Sequence, residues 1–165
     1  MNLENKKIET YILNNHKNRK LFCLVDGAQI DHSTVPNIQH TFGGCLYLFK
    51  ETFEEEAYQY GPIMFDLSQS NQEQLENLFH LMRNKDSMIF IESGLDIKSL
   101  KNKLLEKLYV ELEDGGIGIL RYYDPRVLKR LSQIITDEQR TQFMDGFDTL
   151  YFMLHQTNYE LKNEA

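Results

Sequence analysis

The feature that most constrains the fold is an unbroken apolar run over residues 21–25, which ends at Asp26. A strand with one face in water alternates apolar and polar side chains, whereas an unbroken run is typical of a strand buried on both faces. Further apolar runs follow at residues 45–49, 63–65 and 88–91. The chain is therefore predicted to build a sheet that is flanked by helices.

Amphipathic helices are predicted between and after these strands. Apolar residues recur at helical spacing after Ser70–Glu73, in which the serine and the glutamate are expected to form a capping box. A second helix is expected at residues 97–108, where leucines recur at the same spacing. A third begins at Asp124, the N-cap, with Pro125 at the first helical position. Thr136–Gln139 is expected to be a further capping box, which opens a last helix.

An antiparallel hairpin is predicted in the second half of the chain. Val110 and Leu112 alternate with glutamates before the turn at residues 114–116, and an apolar stretch begins at Ile117. A purely parallel sheet is thereby excluded. The spacing over residues 147–154 fits a helix and a strand equally well, so the type of that element stays open.

These elements indicate the α+β class and a single domain that spans residues 1–165, a length that supports one hydrophobic core. We expect a mixed central β-sheet with an antiparallel C-terminal hairpin, flanked by amphipathic helices.

The charge balance argues against nucleic-acid and membrane-surface functions. The chain has 25 acidic and 18 basic residues and a formal charge of −7, so phosphate backbones and anionic lipids are repelled on average. No apolar run is long enough to span a membrane, and the first 20 residues are too polar for a signal peptide. We expect a cytoplasmic protein in which Cys23 and Cys45 are free, buried thiols.

Asp26 is the first candidate for a catalytic group, because α/β proteins commonly place ligands at the ends of buried strands. Together with Asp124 it could hold a metal ion in a metal-dependent hydrolase. Aspartate-nucleophile phosphatases use a second carboxylate two residues further on, where this chain has Ala28. The alternative is that Asp26 pairs with Arg121 or Arg126, since a buried aspartate without a partner is costly. We expect the pairing, with no catalytic residue, metal ion or cofactor; the hydrolase stays open as an alternative.

The segment Arg121–Arg126 is the most distinctive in the chain, because arginine and tyrosine dominate protein interfaces. We expect Tyr122 and Tyr123 to contact a partner protein. The expected structural signature comprises Asp26, Arg121, Asp124, Pro125 and Arg126.

At this segment the chain resembles the adaptor chaperones of bacterial type VI secretion, of the Tap or VasW type, long catalogued as a domain of unknown function. The strongest signature of that family, Arg-Phe/Tyr-Tyr-Asp-Pro-Arg-Val-Leu, is met by Arg121–Leu128. Weaker matches keep the same order and spacing at Leu24–Ala28, Leu46–Phe49, Gly61–Met64 and Ile91–Ser93. The resemblance covers residues 20–145 as an adaptor-like core, between an N-terminal helix at residues 1–19 and a C-terminal extension at residues 146–165.

The resemblance implies a bacterial chaperone that is not an enzyme. Its expected partners are a secreted effector, which is a toxin, and the VgrG-type spike protein onto which the effector is loaded. Nucleic acid and membranes are not expected as partners. An immunity protein is a further alternative, because it would also be a small acidic binder, but it would bind the catalytic domain of a toxin rather than its export region.

Overall fold

The apolar run after residue 20 forms the centre of a six-stranded sheet. The computed structural model describes residues 7–164. The strands are β1 (Leu21–Asp26), β2 (Cys45–Tyr47), β3 (Pro62–Asp66), β4 (Met88–Glu92), β5 (Tyr109–Glu111), β6 (Ile117–Ile119), β7 (Thr149–Leu154) and β8 (Thr157–Lys162). The α-helices are α1 (Lys7–Asn15), α2 (Ile38–Phe42), α3 (Gln72–Asn84), α4 (Ile97–Glu106), α5 (Pro125–Ile134) and α6 (Asp137–Met144). Short 3₁₀ helices lie at Gly27–Gln29, Leu48–Glu51, Glu55–Tyr60 and Leu67–Gln69.

The α+β class is confirmed, but the sheet is antiparallel throughout, where a mixed sheet was expected. The strand order is β2-β3-β1-β4-β7-β8, and every neighbouring pair is antiparallel. The helix α3 joins β3 to β4, and these two strands run in the same direction. However, β1 lies between them and runs the opposite way. The strand–helix–strand order therefore produces no parallel neighbours in this sheet.

Both faces of β1 are buried, as the unbroken apolar run predicts. Leu21, Cys23 and Val25 pack in a cluster with apolar residues of α1, α2 and α3. Phe22 and Leu24 point to the other face and pack with apolar residues of α4, α5 and α6. The molecule thus has three layers, with the sheet in the middle and the two hydrophobic clusters on either side.

The C-terminal residues complete the sheet. The segment 147–154, whose type the spacing left open, contains β7, which pairs with β4 on one side and with β8 on the other. The residues treated above as an extension therefore contribute two strands to the sheet. The predicted hairpin at residues 109–119 forms a second, two-stranded sheet outside it.

The N-terminal helix is shorter than the predicted range of residues 1–19, because α1 ends at Asn15. The part of that prediction on residues 1–6 lies outside the described residues. Both cysteines are free thiols. Cys23 is buried, whereas Cys45 is only half-buried because β2 is an edge strand.

The starts of α5 and α6 match the predicted caps, but the start of α3 is displaced by one residue. Asn71 is the N-cap: its side chain accepts a hydrogen bond from the Gln74 N–H (2.9 Å), and the Gln74 side chain accepts one from the Asn71 N–H (3.0 Å). The predicted Ser70–Glu73 box is wrong because Ser70 ends the preceding 3₁₀ turn, where its N–H donates to the Leu67 carbonyl. The Ser70 hydroxyl is buried and has no hydrogen-bond partner among the described residues.

Replacing Asn71 with alanine is expected to lower the free energy of unfolding by about 1 kcal/mol, because the cap of α3 is lost. Ser70→Ala is the matched control at the neighbouring position. It removes a hydroxyl that makes no hydrogen bond, so we expect a change within about 0.5 kcal/mol. Urea unfolding monitored by circular dichroism measures both; a larger loss for Ser70→Ala than for Asn71→Ala would contradict the observed cap.

Candidate functional site

Asp26 links the central strand to the segment that follows β6. Its side chain is 0% exposed. The Oδ1 atom accepts a hydrogen bond from the Ala28 N–H (3.1 Å), and Oδ2 accepts one from Arg121 Nη2 (2.7 Å). Burial raises the pKa of Asp26, and the neighbouring Arg121 cation offsets part of that rise. Of the two arginines considered as its partner, Arg121 is therefore the one that pairs with Asp26.

Asp124 is held by Arg126 two residues further on. Its Oδ1 accepts hydrogen bonds from the Arg126 N–H and Nε, both at 2.9 Å, and its Oδ2 accepts one from Nη2 at 2.7 Å. Burial acts to raise the pKa of Asp124, but the hydrogen bonds from Arg126 outweigh it and the pKa is lowered. The same carboxylate caps α5, and Pro125 occupies the first turn of that helix.

Tyr122 and Tyr123 lie in the core, with 0% and 2% of their surface exposed. The Tyr122 hydroxyl donates to the Leu104 carbonyl at 2.7 Å, and its ring packs edge-on against Phe143. Tyr123 packs edge-on against Phe49, and burial raises its pKa to about 12. The expectation that these rings contact a partner does not fit this placement, because neither ring is presented to solvent in the folded chain.

The charge of Asp124 contributes to raising the pKa of Asp26, the other candidate catalytic carboxylate. Each is already engaged by its own arginine. The Asp26–Arg121 pair holds β1 against the segment after β6, and Asp124 caps the start of α5. Within residues 7–164, no group of three or more histidine, cysteine or acidic side chains has the arrangement of a metal site.

A second polar centre, around Glu92 at the end of β4, was missed by the sequence predictions. Its carboxylate accepts hydrogen bonds from the hydroxyls of Tyr11 (2.6 Å) and Tyr151 (3.2 Å), and it pairs with Arg19 at 2.5 Å. Burial acts to raise the pKa of Glu92, but these hydrogen bonds and the Arg19 charge lower it overall. The signal in the sequence was a single acidic residue, Glu92, at the end of a buried strand. The contacts join α1 and β7 to the end of β4.

An exposed apolar surface was also missed. It is formed by side chains of β6 and of the loop before residue 55, and we call it the hairpin patch: Phe53, Ile117 and Ile119. The signal was the spacing of Ile117 and Ile119, which places both apolar side chains on the same face of β6.

A family model described as a domain of unknown function, DUF4123, matches residues 21–142. This family is generally associated with adaptors for type VI secretion effectors. No curated protein and no solved structure matches the chain. The described residues contain no helix that is both long and apolar enough to cross a membrane. The family match runs from the first residue of β1 into α6 and includes Asp26 and the whole segment 121–126, so this chain belongs to the DUF4123 family.

Proposed function

We propose that this protein is an adaptor chaperone that binds a type VI secretion effector in the bacterial cytoplasm and helps to load it onto the VgrG-type spike. The observation that carries the proposal is the family match over residues 21–142, in a family associated with such adaptors. The segment Arg121–Leu128, which meets the adaptor signature throughout, lies inside that match.

We also propose that the protein is not an enzyme. A nucleophile or general base needs free access to a substrate atom at hydrogen-bonding distance. Asp26 has no exposed side-chain surface and is paired with Arg121, and Asp124 caps a helix while it is paired with Arg126. These contacts support a framework role for both carboxylates rather than the hydrolase that uses them as an acid and a base.

The test is a pull-down with the tagged, full-length chain from the bacterium that produces it, followed by mass spectrometry of the co-purified proteins. The expected result is recovery of a spike protein together with a large effector. In a strain that lacks this chain, secretion of that effector is expected to fall at least tenfold, while secretion of effectors carried by other spikes is unchanged.

Two outcomes would contradict the proposal. Recovery of a toxin alone, bound through its catalytic domain, would identify an immunity protein instead. Recovery of no specific protein, with bait that is folded by circular dichroism, would remove the adaptor function. Titration of the effector's N-terminal region and catalytic domain, each purified separately, distinguishes the adaptor from the immunity protein.

A further inference from the structure

Ile117 and Ile119 of the hairpin patch point to the same face of the hairpin as their cross-strand partners Glu111 and Tyr109. Ile117 is 76% exposed and Phe53 is 98% exposed. The Tyr109 hydroxyl donates to Glu54 Oε2 at 2.6 Å, so the loop that carries Phe53 lies beside the hairpin. Exposed apolar side chains that are grouped on one face of a folded protein are typical of a site that binds another protein.

The hairpin also has an open backbone edge. The Leu120 N–H donates to the Leu108 carbonyl (2.7 Å), and the Leu112 N–H donates to the Gly116 carbonyl (2.8 Å). In an antiparallel ladder, alternate residues turn their backbone groups towards the partner strand. The N–H and C=O groups of Ile117 and Ile119 therefore point away from β5, and no strand of the described chain pairs with that edge. Such an edge can accept an added strand.

The charged side chains of the two segments that carry the patch are of one sign. Every charged side chain in residues 51–60 and 108–120 is acidic. Five of these acids are exposed and form no ion pair within the described part of the chain: Glu55, Glu56, Glu111, Glu113 and Asp114. A second copy of this chain would place acids against acids and would be repelled, whereas a basic segment would be attracted.

We propose that the hairpin patch binds an extended segment of a partner protein that is both apolar and basic, and that this segment adds as a strand to the open edge of β6. The inference rests on the proposed binding function, for which it names the surface and the chemistry of the partner segment. Backbone hydrogen bonds along β6 supply affinity, and the apolar and acidic side chains select the sequence.

The probe is a short fluorescent peptide of alternating valine and lysine, titrated with the full-length protein and followed by anisotropy at low salt. It is expected to bind, and the matching valine–glutamate peptide is expected not to. Ile117→Ser should weaken binding about tenfold, because the apolar contact is lost. Ile134→Ser is the matched control: Ile134 is 77% exposed but lies on α5, so binding should not change.

Charge reversal tests whether the acidic side chains beside the patch select a basic partner segment. The double variant Glu111→Lys and Glu113→Lys is expected to lose most of the affinity for the lysine peptide and to gain affinity for the glutamate peptide. Added salt should weaken binding of the lysine peptide to the unmodified protein, because exposed charges are screened. Since all four substituted positions are exposed, circular dichroism should show an unchanged fold in each variant.

The inference is overturned if the lysine peptide does not bind, or if it binds Ile117→Ser and the charge-reversed variant as tightly as the unmodified protein. These failures are separable from failure of the adaptor function. If the pull-down recovers spike and effector equally with the Ile117→Ser bait, the adaptor function stands and another surface carries it. If the unmodified bait recovers neither, the adaptor function fails whatever the peptide does.

Discussion

Gly27→Ala is expected to destabilise the protein by about 3 kcal/mol, the upper end of the usual cost of overpacking. A Cβ atom at this position would collide with the carbonyl oxygen of Gln59 and lie 2.6 Å from that of Gly61. Both are backbone atoms, so neither can move aside by a side-chain rotation. The Gly27 N–H already donates to the Gly61 carbonyl at 2.9 Å, and that hydrogen bond draws the two segments together.

The matched control is Gly94→Ala. A Cβ atom on Gly94 meets nothing within 4 Å, so its effect should stay within about 0.5 kcal/mol, as for other surface changes. Chemical unfolding of both variants gives the comparison, and a Gly27→Ala protein found only in the insoluble fraction also counts as the expected loss. Equal stability of the two variants would contradict the close packing seen between Gly27 and the turn at Glu55–Tyr60.

Arg121→Ala is expected to cost about 3 kcal/mol at neutral pH, because it leaves the carboxylate of Asp26 buried without its cation. This is the low end of the range for a broken buried pair, since the Arg121 side chain is 45% exposed and water weakens the attraction. Arg130→Ala is the control, because Arg130 is exposed and forms no ion pair within the described residues. Its removal should be nearly neutral.

The loss of stability caused by Arg121→Ala should depend on pH. Burial already raises the pKa of Asp26, and loss of the Arg121 cation raises it further. A carboxyl group whose pKa is higher in the folded state than in the unfolded state, where it is about 3.9, costs stability as the pH rises through that interval. The loss of stability is therefore expected to be small near pH 4 and to grow as the pH rises towards neutrality. Unfolding curves at several pH values measure it, and a deficit of the same size at every pH would show that the lost interaction is not the charge pair.

A second substitution separates the charge from the shape of the site. Asp26→Asn, added to Arg121→Ala, replaces the stranded carboxylate with a neutral amide and should restore part of the lost stability at neutral pH. No recovery would indicate that Arg121 acts mainly through packing, for example through its position over the Tyr123 ring, 5.8 Å from the guanidinium carbon to the ring centre.

Much of the candidate site could be predicted because its signals are local or chemically forced. Asp124 and Pro125 start a helix through contacts with their own neighbours, so the sequence order was enough to place them. The pairing of Asp26 followed from its position after a buried strand, but the choice between Arg121 and Arg126 did not. Both lie on one short segment, and only the folded backbone decides which guanidinium reaches the strand.

The burial of Tyr122 and Tyr123 could not be predicted from composition, because the same residue types serve interfaces and cores. Their place depends on where α4 and the 3₁₀ turn at Leu48–Glu51 pack, and these elements are distant in the sequence. The exposure of Ile117 could not be predicted for the same reason, because it also depends on which distant elements pack over the hairpin. Alternation predicts a strand, but it does not say whether a helix will cover one of its faces.

The sequence by itself determined that β1 is buried on both faces, where α4, α5 and α6 begin, that the hairpin turns at residues 114–116, and that Asp26 requires a partner. These properties depend on hydrophobic periodicity, capping and desolvation, which act over a few residues. Only the tertiary structure decided that β1 lies between β3 and β4, that residues 149–162 complete the sheet, and that the hairpin patch stays uncovered. Those outcomes depend on long-range packing, in which several arrangements satisfy the same local pattern and their relative free energies select one.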